Sequence, residues 1–199
     1  MNRFLEKWNQ ELEELDMHFS IGKEDLQEAF EQQKTKLMHV VDQARAAILD
    51  TDLDEKTTAL RTKLDELRVQ LALGKAETRE AFEAQRESLD KALGETGSVV
   101  EEIKAEGGKQ YGDFVNSFRE GMDQFATRLD LFRLQFALGA AEAKDELEEQ
   151  KKELHSKIQT LKEKTRSGME DTEDKWEEFS EEIGEAYAHV KGALKKLFS

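Results

Sequence analysis

The chain contains no cysteine and no proline in 199 residues. Without cysteine there is no disulfide, no thiolate metal site and no cysteine nucleophile. Average usage would supply about ten prolines; with none, no residue forces a helix to stop. No stretch of about 18 apolar residues is present to cross a membrane, and the opening residues lack the apolar centre of a secretion signal. Basic residues never exceed two in a row, and 30 of them stand against 45 acidic ones, for a net charge of −15. Such a charge repels nucleic acid and disfavours anionic membranes. The expectation is a cytoplasmic protein that binds no nucleic acid.

What is present is a ten-position stripe that occurs three times. The first copy reads Trp8, Leu12, Leu15, Phe19, Gly22, Leu26, Phe30, Gln33, Leu37, Val41. The second reads Leu60, Leu64, Leu67, Leu71, Gly74, Thr78, Phe82, Gln85, Leu89, Leu93. The third reads Phe125, Leu129, Phe132, Phe136, Gly139, Ala143, Leu147, Gln150, Leu154, Ile158. In each copy the steps run 4, 3, 4, 3, 4, 4, 3, 4, 4, about 3.67 residues per step, which is one face of a helix.

Asp50-Thr51-Asp52, Gly107-Gly108 and Ser167-Gly168 punctuate the pattern, as capping residues and glycines do. The fold class expected is therefore all-α. It is an elongated antiparallel bundle of three long helices, 2–50, 53–106 and 112–166, on a threefold internal repeat, with a shorter helix at 169–198. Residues 1–166 would form one body, and 169–198 would pack on the same domain. Gly94–Gly97 either kinks or ends the second helix. A register check favours the kink. If Phe30 faces Gly74 while Phe82 faces Gly22, the turn centres inside Asp50–Asp52. If Phe82 faces Gly139 and Leu147 faces Gly74, the next centres inside Gly107–Gly112. Each glycine would then be a hole filled by a neighbour's side chain. Phe82→Ala should cost about 3–5 kcal/mol, and Gly74→Leu should overpack by about 1–3 kcal/mol.

Gln33, Gln85 and Gln150 lie on the apolar stripe, eleven positions after the glycines. They either form a buried polar layer that fixes register or sit at the stripe's edge in water. The last helix carries its own face of Trp176, Phe179, Ile183, Tyr187, Val190, Leu194 and Leu197. That face either packs into a groove of the body or docks a partner or a membrane.

Signals of chemistry are few. Three residues before His18, His39, His155 and His189 stand Leu15, Lys36, Lys152 and Ala186, so the Glu-x-x-His motif of di-iron bundles is missing. Acidic runs such as Glu146-Leu147-Glu148-Glu149 are interleaved with lysine, as on a solvated helix face. Gly107-Gly108-Lys109 lacks phosphate-loop spacing. These readings give no catalytic residue, no cofactor and no metal site.

The residues Asp174-Lys175-Trp176-Glu177-Glu178-Phe179, Ala186-Tyr187-Ala188-His189-Val190 and Lys195-Lys196-Leu197-Phe198, with Phe4-Leu5-Glu6-Lys7-Trp8, resemble small bacterial coiled-coil proteins. Those proteins are associated with stress response or have no known function, and they end in a tryptophan-containing amphipathic helix. The resemblance implies a helical interaction protein and carries no site residue with it.

The expected function is that of a non-enzymatic structural or interaction protein, with a protein partner or self-association. The alternative is a peripheral lipid- or granule-surface protein, apolipoprotein-like or BAR-like. Apolipoprotein repeats are punctuated by proline, however, and BAR surfaces by clustered basic residues. A small-molecule bundle would need a pocket between helices near the glycines.

Overall fold

The computed structural model describes residues 2–22, 25–49, 55–105, 112–138, 144–168 and 176–196. They form seven helices: α1 (Asn2–Ser20), α2 (Leu26–Leu49), α3 (Glu55–Leu71), α4 (Arg79–Ala105), α5 (Gly112–Leu138), α6 (Lys144–Gly168) and α7 (Trp176–Lys196). No strand occurs among the described residues, so the chain is all-α. None of the described helices is long and apolar enough to cross a membrane.

Where the stripe predicts one long helix, two shorter ones are found. The expected 2–50 is α1 and α2, 53–106 is α3 and α4, and 112–166 is α5 and α6. The described part of the fourth helix is α7, Trp176–Lys196, and residues 169–175 of the expected span lie outside the described residues. Gly22 and Gly74 lie in the breaks, whereas Gly94 and Gly97 sit inside α4, which does not end there. Asp50–Asp52, Gly107-Gly108, Gly139, Ala143 and Leu197 lie outside the described residues, as do the side chains of Trp8, Leu147, Trp176 and Phe179.

The chain divides into two compact units. A central unit comprises Gln27–Leu129, and a terminal unit joins Met1–Leu26 to Asp130–Ser199. This grouping differs from the expected body at 1–166 with an appended helix.

In the central unit, α2 and α3 run antiparallel, which their paired positions trace. Gln27 meets Ala76, Lys34 meets Leu73, Asp42 meets Arg68 and Arg45 meets Asp65. α4 folds back along α3, with Lys63 bonded to Glu95 near one end and Gln85 to Gly74 near the other. The stripe residues Phe30, Leu37, Val41, Leu60, Leu64, Leu67, Leu71, Phe82, Leu89 and Phe125 are all buried. Phe30 and Phe82 meet edge to face, centroids 5.1 Å apart at 72°. Such a pair adds about 0.5–1.5 kcal/mol beyond its area.

In the terminal unit the core gathers residues from α1, the end of α5, α6 and α7. Leu12, Leu15, Phe19, Leu131, Leu134, Leu154, Ile158, Leu161, Ile183, Tyr187, Val190 and Leu194 form one cluster. The described part of the face offered by the last helix is therefore interior. Ile183, Val190 and Leu194 are almost fully buried, and Tyr187 nearly so while donating to Glu11 Oε1 at 2.9 Å. An amphipathic helix gains more by burying a stripe of this size in its own core than by leaving it wet.

Candidate functional site

The register pairing of glycine with phenylalanine is not what the structure contains. A methyl group at Gly22 or Gly74 would meet no atom within 4 Å, so neither glycine is a hole, and the overpacking expected of Gly74→Leu has no basis. Phe30 and Phe82 fill each other's space instead. Among the described glycines Gly121 in α5 does receive a neighbour: an added Cβ there would lie 3.1 Å from Val40 Cγ1. Nothing in the sequence separates Gly121 from Gly94, Gly97, Gly184 and Gly192, which also lie within helices and face open space. Gly139 and the side chain of Leu147, the remaining members of the proposed pairing, lie outside the described residues.

Gly74 marks a joint, residues 72–78, between α3 and α4. Between two helices the carbonyls lack the backbone partners a helix would give them. Three of those in this joint are met by side chains. Lys34 Nζ donates to Leu73 O at 2.6 Å, Gln85 Nε2 to Gly74 O at 2.5 Å and Gln27 Nε2 to Ala76 O at 3.0 Å. On the far side Thr78 caps α4, its Oγ1 accepting from Ala81 N at 3.1 Å, as an N-cap threonine does. Lys34 is 2% exposed. Its ammonium is compensated by both Glu31 carboxylate oxygens, 2.9 and 3.1 Å away, and lies 5.4 Å from the Phe30 ring centroid. A buried charge needs such company.

The stripe glutamines thus have separate fates. Gln85 clamps the joint, Gln33 is buried at 3% exposure, and Gln150 is half-buried on α6. Sequence reasoning missed Lys34 and Gln27, which lie on α2 and reach the joint only because α2 packs beside it. The available signal was Lys34 immediately after a stripe position, where Arg86 and Lys151 recur in the other copies.

The terminal unit has its own polar centre at Asp16. The carboxylate accepts from Lys162 Nζ at 2.5 Å and Gln159 Nε2 at 2.5 Å, and lies 2.6 Å from His155 Nε2. A carboxylate only accepts, so the proton of this pair belongs on His155 Nε2. Burial pushes the Asp16 carboxyl up, but the bonds from Lys162, His155 and Gln159 outweigh it and hold the group below its ordinary 3.8. The His155 ring stacks on Phe19, centroids 5.8 Å apart at 4°. These contacts tie α1 to α6.

Beside them Gln135 donates to His18 O at 3.2 Å and Phe19 O at 3.0 Å, closing the end of α1, and accepts from Lys151 Nζ at 3.0 Å. Burial lowers the Lys151 ammonium from 10.5, with Glu148 pulling the other way. Ile21, Gln135, Leu138, Glu148, Lys151, Lys152 and His155 line an open cleft of about 400 Å³ here, next to Gly22. Among the described residues no group of three or more His, Asp and Glu is placed to hold a metal.

The outer faces carry ion pairs. Between helices, Lys63 meets Glu95 and Arg45 meets Asp65, each at 2.7 Å, and Arg119 meets Glu101 at 3.0 Å; within α3, Lys63 also meets Glu66 at 2.7 Å. The Lys63 ammonium is raised by its bonds to Glu66 and Glu95, and Glu95 is lowered by Lys63. Exposed pairs of this kind add little to stability; they set which helix lies beside which. No protein-family model matches the chain, and neither a curated protein nor a solved structure is found to match it.

Proposed function

We propose that the chain is a non-enzymatic structural or interaction protein that works by self-association or by binding another protein. The finer architecture we propose is a threefold repeat of helix, glycine joint and helix as the building unit of an antiparallel bundle. The observation that carries the reading is where the interior polar side chains end. Lys34, Gln85 and Gln27 terminate on carbonyls of the α3–α4 joint and Gln135 on carbonyls at the end of α1, while Lys162, His155 and Gln159 bind the Asp16 carboxylate and so join α6 to α1. Polar groups spent on joining helices to one another hold a scaffold together, whereas acid-base chemistry needs them turned toward a substrate with separated pKa values. A net charge of −15 leaves wide acidic faces that repel nucleic acid and favour a partner with basic patches.

A second reading, a peripheral lipid- or granule-surface protein, is favoured by Val69 in the last turn of α3 and Leu73 in the joint after it, which stand 60% and 41% exposed. The two readings part in one experiment. Purified protein is mixed with zwitterionic and with anionic liposomes, flotation and tryptophan emission are followed, and sedimentation is measured without lipid. The scaffold reading expects concentration-dependent association in the ultracentrifuge and no flotation. Flotation with a blue-shifted emission overturns it in favour of the lipid surface.

A further inference from the structure

We infer that the joint at 72–78 straightens, so that α3 and α4 become one helix and α4 exchanges with that of a second copy of this chain. The inference rests on the self-association reading above and names the partner.

The stripe runs through the joint without losing step. Leu67, Leu71, Gly74, Thr78, Phe82 and Gln85 follow one another by four, three, four, four and three residues, so a continuous helix would place them all on one face. No proline blocks that helix. Gly74 does not require the break either, because a methyl there meets nothing within 4 Å and its backbone is not left-handed. What holds the joint open is reversible. It consists of the three side-chain bonds from Lys34, Gln85 and Gln27, together with the Thr78 cap. In a continuous helix the same carbonyls, those of Leu73, Gly74 and Ala76, accept from the N–H groups of Glu77, Thr78 and Glu80, and no clamp is needed. Both arrangements therefore satisfy the same backbone groups. They differ in what covers the apolar faces, since a straight α3–α4 cannot fold on itself. A second copy presents the same faces and the same Lys63–Glu95 and Phe30–Phe82 partners, and exchange of an identical element reproduces the contacts of the closed unit other than those of the joint itself.

Two substitutions push the joint in opposite directions without touching the core. Gly74→Ala favours the straight helix by about fivefold per joint. Two joints straighten per dimer, so the association constant rises roughly 25-fold. Arg79→Pro does the reverse. Arg79 is exposed and is the first residue of α4, the one helical position that accepts proline; in a continuous helix the same proline is interior and costs more than about a hundredfold per joint.

The full chain and both variants are measured by size-exclusion chromatography with light scattering, and circular dichroism establishes that each is helical. Spin labels on cysteines introduced at Ala59 and Glu102, both exposed, then report the distance within one chain when doubly labelled protein is refolded with excess unlabelled protein. A straight helix separates these sites by about 65 Å, and the hairpin brings them much closer. The expected result is a dimer fraction ordered Gly74→Ala above wild type above Arg79→Pro, with the long distance appearing in the dimer. A Gly74→Ala chain that stays monomeric overturns the exchange, as does a dimer that keeps the short distance. A long distance that appears only on adding liposomes also overturns it. Association without straightening sinks only this inference, whereas flotation sinks the scaffold reading with it.

Discussion

The central and terminal units are built from the same stripe and differ in how far the chain travels to close them. The central unit is one continuous stretch, Gln27–Leu129, while the terminal unit brings Met1–Leu26 against Asp130–Ser199 across that stretch. Closing a loop costs entropy as (3/2)RT ln n. Spanning about 100 residues rather than the few of the α3–α4 joint therefore costs roughly 2 kcal/mol more. The polar interiors differ in parallel. The central unit ends its buried ammonium, Lys34, on a joint carbonyl inside a hairpin. The terminal unit gathers Lys162, His155 and Gln159 from α6 on one carboxylate of α1. In the central unit the buried polar group thus serves a joint, and the interhelix ion pairs stay on its outer face. In the terminal unit a half-buried carboxylate itself ties two distant segments together.

The largest effect that would break this comparison is Phe82→Ala. Phe82 is fully buried against Phe30, and its loss should cost about 3–5 kcal/mol. Both tryptophans, Trp8 and Trp176, belong to the terminal unit. In urea, tryptophan emission of the wild type should therefore change before helicity is fully lost, because the terminal unit closes the longer loop. In Phe82→Ala the later transition should move down to meet the earlier one. Coincident transitions in the wild type would show that the units unfold as one.

Lys34→Ala comes next. It leaves the Leu73 carbonyl without its donor and empties the space under the Phe30 ring, for a cost of about 1–3 kcal/mol. The loss should appear in the helicity transition and leave the tryptophan transition unmoved.

The smallest effect is that of Asp16→Asn, about 1–2 kcal/mol at neutral pH, read this time in the tryptophan transition. The sign follows from the lowered carboxyl. Asp16 contributes in full above its ordinary 3.8 and loses that contribution as pH falls through its lower folded value. Wild type and variant should therefore converge in strong acid, and a difference that persists there would remove Asp16 from its role.

The helical class and the buried positions were legible in the stripe, since Leu12, Leu15, Leu64, Leu67, Leu89 and Ile158 could be read as interior from spacing alone. The reversal at Gly74 was not. A hairpin with both arms facing one core keeps the same apolar period as an unbroken helix, so periodicity does not distinguish them. The bond from Gln85 to Gly74 shows why the site was hidden. In a straight helix residues eleven apart are about 16 Å away from each other, so this contact exists only once the joint has formed. Lys34 and Gln27 were hidden for a related reason: their targets lie on another helix, and a charged or amide residue beside a stripe reads as surface until its neighbour is known.

The sequence by itself determined that this chain is helical, where each helix turns its apolar face, and that its surface is acidic, because propensity, period and charge are local properties. Tertiary structure alone decided that α4 folds back on α3 at the Gly74 joint, that Gly121 receives Val40, and that Met1–Leu26 and Asp130–Ser199 share a core. Each of those choices weighs loop closure and the satisfaction of orphan carbonyls against the burial of one stripe on another, and these quantities exist only between distant parts of the chain.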